Sequence, residues 1–231
     1  MAQARHGRVR GLRDEEDLAM KYIYAALVWL WTSMAAAAQQ NTIVFLVDVS
    51  ASIDQREMDL QMNGYRDALA FFPYLDNFLV EVIVFSDLAH LVVSGTVDDA
   101  RAYFADPHIP SAVGQLHNTC LGSAMQFVSD RVAQYPGNVI LDISGDDPDN
   151  CAGSDSVRAA RDALTAQGVM INALAIVSEP TEPNYSTDHA MTVIGYYRDN
   201  VVNGRVFVAE TFFDVENTLY EKLSFEVSQL R

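Results

Sequence analysis

Residues 41–53 read Asn-Thr-Ile-Val-Phe-Leu-Val-Asp-Val-Ser-Ala-Ser-Ile, and this stretch decides the fold. Its apolar run, Ile43 to Val47, is short, rich in Val, Ile and Phe, and free of polar alternation. A strand buried on both faces of a parallel sheet reads this way. The run stops at Asp48; Ser50 and Ser52 follow at alternate positions, and Asp54 opens a helical pattern. Oxygen side chains crowded where a central strand gives way to a helix lie in the crevice where α/β sheets hold ligands. Three hard oxygen donors, with no nitrogen or sulfur among them, suit Mg²⁺, Mn²⁺ or Ca²⁺ rather than zinc or copper.

Outward from this stretch the chain alternates strands and helices. Asp54 with Glu57 resembles a capping box, and Met58, Met62, Tyr65, Leu69 and Phe72 recur at helical spacing, predicting a helix over about 54–72. Phe78–Phe85 reads as a second strand, Ser86-Asp87 as a plain turn, and Ala89–Val93 as an edge strand in hairpin with it. A short helix follows near Asp98–Ala105, and Pro107 and Pro110 mark a loop. A helix is predicted from Leu121 to about Tyr135, a strand at Asn138–Ile143, and a helix from a Ser154 cap to about Gln167. Val169–Val177 reads as a buried strand, Glu179–Asn184 as a loop and Asp188–Asp199 as a helix. Arg205–Ala209 and Asp214–Leu230 supply the last strand and helix. This order predicts an α/β fold: a doubly wound, mostly parallel central sheet with one antiparallel edge strand and helices on both faces.

The chain has 231 residues, half of them hydrophobic, and a net charge of −16. That length suits one domain with a short extension. The charge excludes a nucleic-acid partner, which requires a basic face, whereas an acidic rim raises the local concentration of cations. Residues 1–19 are polar; Met20-Lys21 then precedes the apolar run Tyr22–Trp31 and the small residues Ala35–Ala38. A basic residue, an apolar stretch and an Ala-x-Ala end describe a secretory signal peptide cleaved after Ala38, a match that improves if translation starts at Met20 rather than Met1. Residues 1–38 are therefore read as extension and signal peptide and 39–231 as the folded domain, exported to the periplasm or secreted. No Cys lies near the cut to carry a lipid anchor. Asn184-Tyr185-Ser186 matches a glycosylation sequon, which only a eukaryotic secretory host would use.

Three loops at strand ends or helix starts carry hard oxygen ligands: Asp48, Ser50 and Ser52; then Thr119; then Asp146. The set resembles the metal-ion-dependent adhesion site of the von Willebrand factor type A domain. That family pairs Asp-x-Ser-x-Ser with a Thr on a second loop and an Asp on a third. Thr119-x-x-Gly122-x-Ala124 is similar to the family's second loop, and Ser144-Gly145-Asp146-Asp147 stands where the third is expected. The resemblance spans about residues 41–230. The Ser-Gly-Asp loop, the Tyr196-Tyr197 to Gly204 segment and the Glu221–Val227 ending narrow it to a bacterial exported branch known as a domain of unknown function. One departure is plain: Gly145 separates Ser144 from Asp146, and Asp147 replaces the family's Gly. Asp142 is then a rival third-loop ligand, although it sits inside the strand pattern.

The resemblance implies one Mg²⁺ or Mn²⁺ held by Asp48, Ser50, Ser52, Thr119 and Asp146, with a position open to an Asp or Glu carboxylate from another protein. It implies a non-enzymatic, cation-dependent binding domain. If both loops flank one metal, Cys120 and Cys151 come close enough to form a disulfide in an oxidising compartment. Two rival functions remain. A metal-dependent hydrolase or phosphatase would use Asp48 as nucleophile and His117 as base, but Ser50 stands where a second carboxylate is expected. A nucleotide binder lacks any Gly-x-Gly-x-x-Gly or Walker pattern after a strand. On the signal-peptide reading, N-terminal sequencing of the exported protein should start at Gln39; a membrane-bound product retaining Tyr22–Trp31 would contradict it.

Overall fold

In a computed structural model of the chain, β1 (Thr42–Asp48) is the central strand, and all seven of its residues are buried. β2 (Leu79–Phe85) and β4 (Val139–Gly145) flank it, both parallel to it. β3 (Ala89–Gly95) runs antiparallel along the outer edge of β2. β5 (Met170–Ile176) and β6 (Val206–Ala209) extend the other side in parallel, giving the order β3-β2-β1-β4-β5-β6. The structure describes residues 40–72, 75, 77–114, 117–177, 187–211 and 214–229. The segment read as a signal peptide, the expected Glu179–Asn184 loop and the Asn184–Ser186 sequon lie outside these residues.

Alternate residues of β1 serve two separate cores. Ile43, Phe45 and Val47 face α1 (Gln55–Leu69), α2 (Val97–Ala105) and α7 (Val215–Gln229). Val44 and Leu46 face α4 (Leu121–Ser129) and α5 (Gly153–Ala166). A short turn, α3 (Ser111–Gly114), lies between α2 and α4, and α6 (Thr187–Tyr196) precedes β6. Helix α1 forms as its sequence requires. Asp54 accepts from the backbone of Glu57 at 2.8 Å while Glu57 accepts from the backbone of Asp54 at 2.9 Å, which closes the capping box. Its buried stripe then places Tyr65 edge-on to Phe45 and stacked on Phe104. β1 hands the chain to α1 on one face and β4 hands it to α5 on the other. The carboxyl ends of these adjacent strands thus border the crevice where such sheets place ligands.

Four elements differ from the sequence reading. The strand expected to end at Ile143 continues through Ser144 and Gly145. The helix expected to reach Tyr135 ends at Ser129, with a separate 3₁₀ turn at Val132–Gln134. The bend lets Arg131 and Tyr135 both reach Glu81, a carboxylate buried on β2 that needs partners. The helix expected to run to Asp199 ends at Tyr196 and passes into a π-helical turn, Tyr197–Val201. Ser154 does not cap α5; the N-cap position is Ala152, which has no side-chain bond of its own, and Asp149 just upstream accepts from the backbone of Cys151, Ala152 and Gly153 at 3.1, 2.9 and 2.8 Å.

Asp142 is fully buried on β4 and is not beside the first loop's ligands. It is ion-paired with Lys222 of α7 and accepts from Tyr65 Oη at 3.2 Å. Lys222 also donates to Glu226 at 2.9 Å, and Asn172 of β5 donates to the same Glu226 oxygen at 3.0 Å. Lys222 is the chain's only lysine besides Lys21, and it is completely buried. Two carboxylates share one ammonium, so one of them is better off neutral. Burial, countered by Lys222 and reinforced by Asp142, pushes Glu226 up to about 8 from 4.5. Between those values the folded state holds a proton that the unfolded chain releases. The stability from this group is therefore complete below the lower value and declines as pH rises to the upper one. Glu226→Gln keeps an acceptor for Lys222 and Asn172 but cannot titrate. Melting curves collected from about pH 5 to pH 8 should fall less steeply for Glu226→Gln than for the wild type; equal slopes would contradict the assignment.

Candidate functional site

Asp48, Ser50, Ser52, Thr119 and Asp146 converge at the carboxyl ends of β1 and β4. Their contacts form a continuous chain. Asp48 Oδ1 accepts from the backbone of Ser50 at 2.8 Å. Thr119 Oγ1 donates to Ser50 Oγ at 3.1 Å, Ser50 and Ser52 hydroxyls lie 3.0 Å apart, and Ser52 Oγ donates to Asp146 Oδ1 at 2.9 Å. All are buried except Ser52, which is exposed. Of the two third-loop carboxylates, it is Asp146 that the structure brings to this group, while Asp142 is engaged with Lys222.

The elements that position these residues are tightly tied. Val49 N donates to Phe85 O at 2.9 Å, continuing β1 beyond Asp48, and Gln61 of α1 donates to Asp48 O at 3.1 Å. The second and third loops behave as one unit. Thr119 N donates to Asn150 Oδ1 at 2.9 Å, Asn150 N returns a bond to Thr119 O at 3.1 Å, and the next residues, Cys120 and Cys151, form a disulfide with Cα atoms 5.1 Å apart. Asp149 reaches across to the backbone of Gly122 at 3.0 Å, at the start of α4. Asp87 is more than a plain turn: it accepts from His117 N at 2.9 Å and from Asn118 Nδ2, fixing the approach to Thr119. His117 itself is exposed. Asp87 also lies near both cysteine sulfurs, but the disulfide removes the thiolates a metal would need there.

The electrostatics of the cluster are lopsided. Burial, opposed by the bonds from Ser50 and raised further by the charge of Asp147, pushes Asp48 up to about 7. Burial, then the charges of Asp48 and Asp147, raise Asp146 well above the ordinary carboxylate range, against the pull of Ser52. Among the described residues no basic side chain forms an ion pair with Asp48 or Asp146, and Asp48 Oδ2 is buried without a hydrogen-bond partner. A buried carboxylate left so is costly. An all-oxygen donor set with an unspent carboxylate oxygen fits a hard divalent cation. Beside the loop opens a groove of about 460 Å³, bordered by Val49, Ile53, Met58, Pro107 and Ile109.

Sequence reasoning missed three residues here. Asp149 lies in an Asp-rich loop whose members look alike in sequence. Asp87 looked like an ordinary turn residue. Tyr197, whose hydroxyl is buried and unpartnered near Gly145, lies far from the motif in the chain. If the disulfide fixes the two loops, Cys120→Ser combined with Cys151→Ser should cost stability, by about 4 kcal/mol for a cross-link of this span. Denaturant melts under non-reducing conditions measure this; an unchanged midpoint would show the bond to be dispensable.

The chain belongs to the family described as "Protein of unknown function (DUF1194)", which matches residues 38–231. No curated protein matches the chain. Several solved structures share the fold. The von Willebrand factor type A protein from Catenulispora acidiphila superposes with a TM-score of 0.58 at 12% identity, covering 80% of this chain and 42% of that one. Proximal thread matrix protein 1 from the mussel byssus, in a form with a zinc-occupied MIDAS motif, gives 0.54 at 17%, covering 80% and 46%. The PilB minor pilin of Streptococcus sanguinis gives 0.64 at 10%, covering 85% and 63%. The fold is thus that of the von Willebrand factor type A domain, and this chain spans about half the length of the mussel protein.

Proposed function

We propose that this DUF1194 member is an exported, non-enzymatic domain that binds one Mg²⁺ or Mn²⁺ through Asp48, Ser50, Ser52, Thr119 and Asp146 and uses it to capture a protein carboxylate. The observation that carries the reading is the buried, unpartnered Asp48 Oδ2 within a cluster of oxygen donors drawn from three loops. The ion supplies positive charge that the described residues do not provide, and it accepts an external Asp or Glu as a further ligand. The protein's part is to hold the donors still. Asp48 gives the charge at the centre, the hydroxyls of Ser50, Ser52 and Thr119 give neutral oxygens, and Asp146 sits behind Ser52. The groove beside the loop, bordered by Val49 and Ile53, leaves space for the residues flanking a captured carboxylate. The zinc-occupied mussel protein and the extracellular or pilus-associated settings of the structural neighbours support both cation binding and export.

A hydrolase built on Asp48 fits less well. The loops add Asp146 and Asp147 to it, while Lys222, the only lysine among the described residues, is spent on Asp142 and Glu226. A phosphate ester would approach a concentration of negative charge. Calorimetric titration with Mg²⁺ tests the proposal. Asp48→Ala is expected to abolish binding, and Ser50→Ala to weaken it less because water can replace a neutral hydroxyl. Both variants should keep the wild-type circular dichroism, since the two cores form without the ion. Equal affinity in the wild type and Asp48→Ala would remove the site from this position.

A further inference from the structure

We propose that Tyr197 is a positioning residue of the cation site, its buried hydroxyl holding Asp48, or a water bound to the cation, in place. The inference rests on the reading of Asp48 as a cation ligand and adds a fourth segment to the three loops.

Three observations carry it. Tyr197 is completely buried, yet its hydroxyl has no hydrogen-bond partner. Buried tyrosine hydroxyls normally find one. Asp48 Oδ2 is in the same condition. Both atoms lie within 3.0 Å of the point where a side-chain carbon on Gly145 would sit. Two orphaned oxygens, one a donor and one a carboxylate, therefore face one small volume without bonding to each other. Glycine at 145 keeps that volume open; any side chain there would strike the phenol and the carboxylate. This accounts for the residue that separates Ser144 from Asp146 in the third loop.

The backbone delivers the phenol deliberately. Tyr197 opens the π-helical turn that follows α6, and such turns are rare and concentrate at functional sites. The turn is held from α5. Arg161 Nη1 donates to the carbonyls of Asp199 and Asn200 at 3.1 and 3.4 Å, and Arg158 donates to the Asn200 side chain. Within the turn Asn200 Nδ2 donates to Tyr196 O at 3.0 Å. The wider turn re-aims the side chain at its start toward the end of β4, and the phenol is flanked by the charges of Asp48, Asp146 and Asp147. A neutral donor placed there orients an anionic ligand without cancelling its charge, which is the usual task of a group just outside a metal's own ligands.

Tyr197→Phe removes the hydroxyl and leaves the ring that packs in the core. Titration calorimetry with Mg²⁺ should show affinity falling by roughly 10-fold, the loss typical of such supporting groups. The melting temperature of the cation-free protein should not fall, because the hydroxyl makes no bond there. In the wild type, saturating Mg²⁺ should also perturb the near-ultraviolet tyrosine spectrum, and this change should be reduced in the variant. Wild-type binding with unchanged affinity in Tyr197→Phe would overturn the inference and leave the cation site standing. So would a wild-type tyrosine spectrum indifferent to saturating Mg²⁺. A wild type that takes up neither Mg²⁺ nor Mn²⁺ would remove the cation reading, and this inference with it.

Discussion

Negative charge buried at the end of a fully apolar strand is the constraint on which the rest of this molecule turns. β1 and β4 run through the core side by side, and each delivers a carboxylate to a place where water cannot solvate it. The fold treats the two faces of the sheet differently. Toward α7, Asp142 is met by Lys222 and backed by Tyr65, and the charge is settled within the chain. At the carboxyl ends, Asp48 and Asp146 receive only hydroxyl and amide donors. The first arrangement is complete within the chain, and the second leaves Asp48 Oδ2 without a partner among the described residues.

Holding such a cluster together demands stiff loops, because like charges and exposed termini would otherwise separate. The means here are redundant. A disulfide, a reciprocal Thr119–Asn150 pair and the Asp149 carboxylate all join the second loop to the third. Asp87 then ties the second loop back to the β2–β3 turn. Apart from the Thr119 hydroxyl, none of these groups belongs to the proposed ligand set. They fix the positions of the proposed ligands, so that little order would have to be gained when a ligand arrives.

The fold was legible because its signals are local. Uninterrupted apolar runs mark the central strands, and a capping box with a helical stripe marks α1. The first loop was legible for the same reason, with Asp48, Ser50 and Ser52 all within five residues. What escaped depends on partners distant in sequence. Nothing around Asp142 announces Lys222, eighty residues away, so its polarity inside a strand looked like an alternative ligand. The helix end at Ser129 answers to Glu81 on another strand, and periodicity continues through Val132 and Tyr135 as though the helix did too. The π turn at Tyr197 has no periodic signature of its own, since five residues cannot establish one.

The Asp142–Lys222–Glu226 group also limits how the sequence can drift. Neutralising Lys222 alone strands two carboxylates in the core, and removing Asp142 alone changes which protons the remaining pair must hold. A route to an apolar core at these positions therefore passes through poorly folded intermediates unless several of them change together. Descendants of this chain should inherit or lose the trio as a block, and a graft of α7 from a relative would succeed only if the matching residue of β4 travelled with it.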